Sequence, residues 1–264
     1  MISLIIPTYK SPITLDLAIK SAIDGQKYDN QIVVVVDGFY DLNKHVLQKY
    51  EDRIFILDLE TNHGLCKATN YGVYNSTFDK ILVINDDNVL PRDWDKELLE
   101  VYKDNTVITP NQIEPTRSVF LDFKMKSFGD PEEFDWNGFY RYAEKLAHES
   151  KTLHDSRLSP RGSTLPFFMS KQDYLKIGGW DESYPGPWMV DWDFFYKCDL
   201  AGYDLPRCYT CNIYHFVSYG TTNTTADKVS KRDLEKACWE WFIYKWGFTP
   251  YKGYETNNKI VRGN

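Results

Sequence analysis

Three absences narrow what this chain of 264 residues can be. It has no apolar run approaching the roughly 20 residues of a membrane-spanning helix, so we expect no membrane span. It has no long Lys/Arg run and a net charge of −7, which argues against sequence-independent binding to nucleic acid. Its first residues enter an apolar segment without the basic region and cleavage site of a secretory signal. We therefore expect a soluble, cytoplasmic protein.

Cysteine is scarce and does not follow the pattern of a disulfide framework. There are five cysteines, an odd number: Cys66, Cys198, Cys208, Cys211 and Cys238. Cys208 and Cys211 form a C-x-x-C pair, which a redox or zinc site could use, but no second pair accompanies it and no helix start follows. We expect most of these residues to be buried thiols in a reducing compartment.

The first hundred residues instead show a regular alternation of two apolar patterns. Short β-favouring runs predict strands, and segments with helical spacing of apolar residues predict helices. The predicted strands cover residues 2–7, 31–37, 54–57 and 81–84, and the predicted helices cover 13–23, 42–50 and 64–74. Such an alternation is typical of βαβ units in a mostly parallel sheet.

The pattern changes after Pro110. Residues 111–162 are mixed, polar and aromatic, with one predicted helix around 138–150, and we interpret them as an insertion or a mobile lid. Clear signals return with strands at 165–170 and 212–215 and helices at 172–176, 191–200 and 227–246. The last helix should pack back on the domain through one apolar face, formed by Trp239, Phe242, Ile243 and Trp246.

The most informative segment is KILVINDDN, in which a buried strand runs into four polar residues, Asn85, Asp86, Asp87 and Asn88. Open α/β sheets bind their ligands at the carboxyl ends of strands. Adjacent carboxylates repel each other, and oxygen donors favour a hard cation such as Mg²⁺ or Mn²⁺ over zinc. The alternative is an acidic turn that ends the strand and caps the helix near Trp94.

Several further segments occur in a recognisable order. IIPTYK and VVVVDG end the first two strands, N-x-G-x-x-x-A-x-N opens the helix after the third, and INDDN ends the fourth. LPFFMSKQDYLKIGGWDE, VDWDFFYKCDLAGYD and IYHF follow downstream, with eleven residues from Asp191 to Gly202. Over about residues 2–220, this set resembles the family 2 glycosyltransferases of the GT-A fold.

The resemblance implies an α/β fold with a Rossmann-like, mostly parallel central sheet flanked by helices, followed by a C-terminal helical tail. The implied GT-A domain covers residues 1–220, with a nucleotide-sugar-binding half at 1–110 and an acceptor half at 111–220. Residues 221–264 would form the helical extension.

The implied donor site combines strand ends with the start of a helix. Its predicted members are Pro7, Thr8, Tyr9, Asp37, Asn62, Lys67 and Asp86. The first three would line the base and ribose, and Asp86 would contact the ribose or a metal-bound water. Asp37 would accept a hydrogen bond from a uracil N–H or a ribose hydroxyl, although it could equally be a helix N-cap. Lys67 could face a phosphate or be a solvated helix lysine.

Two residues are predicted metal ligands, Asp87 from its strand end and His215 from the family pattern. A lone histidine beside an apolar strand is more often structural, and imidazole suits Mn²⁺ better than Mg²⁺. The predicted cofactor is therefore Mn²⁺, with Mg²⁺ as the alternative.

Asp191 is the predicted general base, which would deprotonate an acceptor hydroxyl as that oxygen attacks the anomeric carbon. We expect the helix N-terminus to keep this carboxylate ionised, and the competing interpretation is a simple N-cap. The predicted acceptor contacts are Trp180, Trp188, Trp192 and Asp193. Aromatic faces suit sugars, but core packing must account for several of these rings.

The predicted function is a metal-dependent, inverting glycosyltransferase that moves a sugar from a nucleotide-diphosphate sugar, most simply a UDP-sugar, to a carbohydrate acceptor. Four positions depart from the family pattern: Val36, Thr69, Asn85 and Val190 stand where Asp, Arg, Asp and Glu are usual. Asn85 and Val190 favour one rival, a non-catalytic carbohydrate- or nucleotide-binding protein on the same fold. A nucleotidyltransferase is the other, but IIPTYKSPIT is not the glycine-rich, basic loop it would need.

Overall fold

The computed structural model describes residues 1–116, 124–150, 153–154, 164–217 and 228–249. These residues form ten strands, eight α-helices and a short 3-10 helix at Pro131–Glu133. In chain order they are β1 (Ser3–Thr8), α1 (Pro12–Gly25), β2 (Gln31–Val36), α2 (Tyr40–Lys49), β3 (Phe55–Asp58), α3 (Leu65–Tyr74), β4 (Lys80–Val83), β5 (Asn88–Val89), α4 (Trp94–Val101), β6 (Thr109–Glu114), β7 (Lys124–Met125), α5 (Trp136–Glu149), β8 (Leu153–His154), β9 (Phe167–Ser170), α6 (Lys171–Ile177), α7 (Val190–Leu200), β10 (Arg207–His215) and α8 (Lys228–Trp246).

The main sheet has the strand order β3-β2-β1-β4-β9. The first four strands are parallel, and β9 runs antiparallel to β4. Strands β2 and β3 are therefore added on one side of β1, and β4 is added on its other side. This reversal creates a crevice at the carboxyl ends of β1 and β4, the place where open α/β sheets bind ligands.

Alternating side chains of the parallel strands enter two separate apolar cores. Ile5 and Val33 lie on one face, in a core shared with α3, α7 and α8. Leu4 and Val34 lie on the other face, with α1, α2 and α4. Because successive strand residues point to opposite faces, a strand covered on both sides must be apolar throughout. The uninterrupted runs LIIP and IVVVV have this property, and the α/β fold predicted from them is confirmed.

A second, smaller sheet has the order β5-β10-β6-β7, and β8 pairs with the start of β10. In this sheet β10 is antiparallel to β5 and parallel to β6. Helix α5 packs on β10 through Phe139 and Ala143, which are buried beside Tyr214. The carboxyl end of β10 thereby reaches the same edge of the molecule as the polar turn after β4.

The interpretation of residues 111–162 as an insertion or lid is wrong for their described parts. Every residue of β6 is buried, and α5 forms part of a core. These elements complete the second sheet, a long-range arrangement that local composition does not reveal. Residues 117–123, 151–152 and 155–163 of that segment lie outside the described residues.

The C-terminal helix packs on the domain as predicted, and Phe242 and Trp246 of the predicted face contact the core. Ile243 of that face is exposed instead, and the buried Cys238 was not predicted to belong to it. The start predicted at residue 227 lies outside the described residues, as do 250–264. None of the described helices is both long enough and apolar enough to cross a bilayer. All five cysteines are buried free thiols, as expected from the sequence.

Candidate active site

The crevice between β1 and β4 is closed at its base by a hydrogen bond between the two strand ends. Thr8 Oγ1 donates to Asp86 Oδ2 over 2.7 Å. Burial, and secondarily the charge of Asp87, raises the pKa of Asp86 to about 7, although hydrogen bonds from Thr8, the Tyr9 backbone and Ser11 oppose the rise. Two predicted donor contacts, Thr8 and Asp86, are thus parts of one hydrogen-bonded unit.

The polar turn after β4 is held in shape by a buried amide. Asn88 Oδ1 accepts from the Asn85 backbone N–H over 2.9 Å, and the Asn88 N–H donates to the Asn85 carbonyl over 3.2 Å. The turn leads into β5, while Asp93 stands at the start of α4. The alternative of a cap for the helix near Trp94 is therefore wrong. The turn leaves Asp86 half-buried at the edge and Asp87 buried beneath it.

Strand pairing places His215 beside that turn. His215 pairs with Asn88 of β5, and its neighbour Tyr214 pairs with Ile113 of β6 on the other side. His215 Nε2 lies 3.4 Å from Asp87 Oδ1, and Nδ1 lies 3.1 Å from a carboxylate oxygen of Glu114. Asp87 and His215, which are far apart in the sequence, are thereby neighbours.

Glu114 is a site residue that the sequence analysis missed. It is the last residue of β6 and is buried, so its acidic side chain follows a strand in the same way as Asp86 and Asp87 follow theirs. That signal was available, but the strand itself was not predicted. Burial lowers the pKa of His215, yet the carboxylates of Asp87, Glu114 and Asp191 outweigh it and raise the pKa overall.

The residues around Asp87 fit a divalent cation. Asp87 Oδ1 is buried and lacks a hydrogen-bond partner although His215 Nε2 faces it, so one carboxylate oxygen and one imidazole nitrogen converge. Glu114 holds the other ring nitrogen, the usual outer contact of a metal-binding histidine. Among the described residues, no group of three or more His, Cys, Asp or Glu side chains could hold a metal. A cation here would therefore need further donors from a bound ligand.

Asp191 lies in the first turn of α7 and faces the same cluster, close enough to His215 for the charges to interact. Burial raises the pKa of Asp191 to about 7, against a backbone hydrogen bond from Leu165 and the charge of His215. Burial therefore opposes the ionisation that the helix N-terminus is expected to favour. The Gln112 side chain of β6 holds the segment around Leu165 in place by donating a hydrogen bond to the Leu165 carbonyl over 3.0 Å.

The remaining residues predicted to contact a donor lie along the same sheet edge. Pro7 is buried in β1, whereas the exposed Tyr9 ring meets Phe39 edge-on with centroids 5.1 Å apart. Lys10 Nζ lies 4.1 Å from the centre of the Phe39 ring. Phe39 was not predicted, and it adopts a left-handed backbone with φ of 57°. An exposed ring in that conformation is uncommon and marks this corner as a candidate contact surface.

Asp37 tethers the loop that precedes α3. Its two carboxylate oxygens accept from the backbone N–H groups of His63 and Gly64 over 2.6 and 2.8 Å. Asp37 therefore acts near the start of α3 and not as the N-cap of α2, which is Phe39. The same loop carries the exposed Asn62, and Lys67 Nζ lies 3.2 Å from His63 Nδ1.

The four predicted acceptor contacts fall into two groups. Trp180 is 2% exposed and packs between Phe167 and Phe194, and Asp193 is fully buried. Neither position fits a contact with an acceptor, because burial in the core leaves no surface for a ligand. Trp188 and Trp192 are half-buried at the margin of that core, and their acceptor role stays a prediction.

One protein-family model matches more than half of the chain. The model of glycosyl transferase family 2 matches residues 3–160, which include the donor-side strands and Asp87 but not Asp191 or His215. An uncharacterized glycosyltransferase of Haemophilus influenzae is 23% identical over 233 residues, which cover 85% of this chain and 73% of that protein.

Solved glycosyltransferases of the GT-A fold share the architecture. S. aureus TarS 1-349 superposes with a TM-score of 0.60 at 14% identity, covering 98% of this chain and 76% of that one. Its complex with UDP gives a TM-score of 0.59 at 16% identity, with the same coverage. GalNAc-T7, crystallised with UDP, GalNAc and Mn²⁺, gives 0.58 at 14% identity over 82% of this chain and 44% of that chain. At these identities the likeness establishes the fold alone.

Proposed function

Because the chain belongs to glycosyl transferase family 2, we propose that this glycosyltransferase is metal-dependent, inverts the anomeric configuration and takes a UDP-sugar as donor. The observation that carries the proposal is the meeting of Asp87, His215 and Asp191 at the switch point of the sheet. Such a transfer requires a carboxylate and a nitrogen donor for the cation, which Asp87 and His215 would supply. It also requires a carboxylate that can accept a proton, which Asp191 would supply.

The donor would lie along the carboxyl ends of β1, β2 and β4. Thr8 and Asp86 close the crevice between β1 and β4 and would contact the ribose, with the exposed Tyr9 against the base. Asp37 and its tethered loop would border the site on the β2 side, with Lys67 near the diphosphate. The complex of TarS with UDP supports the choice of nucleotide.

Asp87 and His215 would hold the cation, with Mn²⁺ preferred over Mg²⁺ because one ligand is an imidazole. When bound, the metal would neutralise the departing diphosphate. GalNAc-T7 was crystallised with Mn²⁺, which supports this choice. Glu114 would orient the imidazole by accepting a hydrogen bond from Nδ1 and so leave Nε2 directed at Asp87.

Asp191 would act as the base in a single displacement. The acceptor oxygen forms a bond to the anomeric carbon as the bond from that carbon to the diphosphate breaks, and the diphosphate leaves with the electron pair. The hydroxyl proton passes to the Asp191 carboxylate. Burial raises the pKa of Asp191 to about 7, which suits a group that must gain a proton near neutral pH.

A donor screen tests the proposal. UDP-, GDP- and dTDP-sugars would be incubated with the protein in Mn²⁺, in Mg²⁺ or in EDTA, with a glycan acceptor array and with water alone. We expect turnover of at least one UDP-sugar in Mn²⁺, no turnover in EDTA, and a product of inverted configuration by NMR. Retained configuration would overturn the single displacement. UDP binding without turnover of any donor would instead favour the non-catalytic rival.

A further inference from the structure

The C-terminal helix α8 (Lys228–Trp246) joins the catalytic side of the molecule through a buried polar cluster. Lys245 Nζ lies 2.6 Å from Asp181 Oδ2 and 2.6 Å from Asp193 Oδ1. Trp246 Nε1 donates to the same Asp193 oxygen over 2.8 Å, and Tyr184 donates to it over 3.3 Å. Asp193 is fully buried, so these contacts are made without competition from water.

Asp193 and Asp191 share the first turn of α7 but face different ways. Residues two positions apart on a helix are separated by about 200° around its axis. Asp191 is directed to the cluster with His215, and Asp193 is directed to α8. The turn that carries the proposed base is therefore held from its opposite side by Lys245 and Trp246.

The same helix also holds the loop that leads into α7. The backbone N–H groups of Trp188 and Gly186 lie close enough to the Cys238 sulfur of α8 to oppose the rise that burial causes in its pKa. A Cβ atom added to Gly186 would lie 2.8 Å from Leu234 Cγ, so the loop backbone rests directly on α8. Residues 186–193 thus have contacts to α8 at both of their ends.

A buried charge cluster contributes little net stability, but it defines the orientation of the groups that it joins. Desolvation offsets most of the attraction between its members, and an apolar contact of equal size would stabilise as well. Its directional hydrogen bonds, however, fix one arrangement of the groups that they join. This arrangement is what a base needs, because small displacements of a reacting group slow a reaction strongly.

We infer that α8 completes the acceptor side of the enzyme, with Lys245 and Trp246 as positioning residues that fix residues 186–193 and, through them, Asp191. The catalytic part of this inference rests on the proposed function. The helix lies outside the residues matched by the family model, which end at 160.

The test compares Lys245→Met with Lys245→Arg and with Lys236→Met, a matched control on the exposed face of α8. Hydrogen exchange would be followed in residues 186–193 and in β1 and β4, together with UDP affinity by calorimetry and the kcat and KM of transfer. Lys245→Met should speed exchange in 186–193 by about ten-fold or more, with β1 and β4 unchanged, because it removes the cation that joins Asp181 to the buried Asp193 carboxylate. Lys197 Nζ, 3.7 Å from the other Asp193 oxygen, remains in the variant but does not bridge to α8. Lys245→Arg should restore most of the protection.

For transfer, Lys245→Met should lower kcat by about 10- to 100-fold. UDP affinity should stay within about two-fold, because the donor contacts lie on other elements. Exchange and kcat equal to those of Lys236→Met would overturn the inference, and so would faster exchange throughout the chain without rescue by Arg. If the wild-type protein turns over no nucleotide sugar, the proposed function fails and the catalytic part falls with it, whereas exchange still decides whether α8 orders residues 186–193.

Discussion

The proposed donor edge and the proposed acceptor edge of this protein are built in different ways. The donor edge follows from consecutive βαβ units, in which each strand delivers its polar residues to the same side of the sheet. The acceptor edge and the proposed metal site beside it gather Asp191, Lys245, Glu114 and His215 from four elements that are distant in the sequence. We therefore expect the strand-end contacts of the donor to survive changes in α7 and α8, whereas Asp191 and the metal site depend on packing between distant elements. The following predictions measure that difference.

Asp191→Asn should have the largest effect. The change preserves shape but removes proton acceptance, and loss of a general base costs about 10²- to 10⁴-fold in rate. UDP affinity should stay close to the wild-type value, because the donor is held at the other edge. Initial-rate kinetics and calorimetry would measure the two quantities, with the exposed Asp104→Asn as control. Near-normal transfer by the Asn variant would exclude Asp191 as the base.

Asp87→Asn should remove the dependence of UDP binding on divalent metal. The buried Asp87 carboxylate is the only charged group we assign as a metal ligand, and an amide is a weaker donor for such an ion. Calorimetry with Mn²⁺ and with EDTA should give different UDP affinities for the wild type and equal ones for the variant. Asp52→Asn, an exposed site, should behave as wild type. Equal affinities in the wild type would contradict the metal site itself.

Glu114→Gln should have a smaller effect on the same metal site. Substituting an outer partner of a metal-binding histidine lowers metal affinity by about 10- to 100-fold, since the imidazole loses its fixed orientation and some basicity. Titration of Mn²⁺ into the protein, followed by electron paramagnetic resonance, reads this change directly without any turnover. The exposed Glu51→Gln serves as control. An unaltered Mn²⁺ affinity would show that Glu114 does not support metal binding by His215.

The smallest expected effect concerns pH. Burial raises the pKa of Asp181, but hydrogen bonds from Lys245 and Ser183 outweigh it and lower the pKa from 3.8 to about 2. A carboxyl whose pKa is depressed by folding stabilises the fold above its unfolded pKa and loses that contribution as pH falls through its folded value.

The difference in Tm between wild type and Lys245→Met should therefore shrink as the pH falls from about 4 towards 2. Calorimetric scans at several pH values would measure it, with Lys236→Met as the control whose difference from wild type stays flat. A difference that is constant over this range would show that the pair of Asp181 and Lys245 does not contribute through its charges.

The sequence predicted the donor edge better than the acceptor edge. Continuous apolar runs such as IVVVV and the polar residues directly after them can be recognised locally, so the strands of the main sheet and the polar strand end at Asn85–Asn88 were predicted from sequence patterns. The acceptor edge was less accessible. Trp180 and Asp193 looked like ligand contacts because aromatic and acidic residues serve binding and packing equally well, and only their burial separates the two uses.

Sequence by itself determined the α/β alternation, the parallel sheet and the family, because periodicity and strand-end residues are local consequences of burial on two faces. Tertiary structure alone decided which polar groups meet. The register of β10 between β5 and β6 puts His215 between Asp87 and Glu114. The packing of α8 puts Lys245 against Asp193, and desolvation in the folded protein moves the pKa of Asp191 to about 7. Such contacts depend on distances between elements remote in the chain, and those distances exist only after folding.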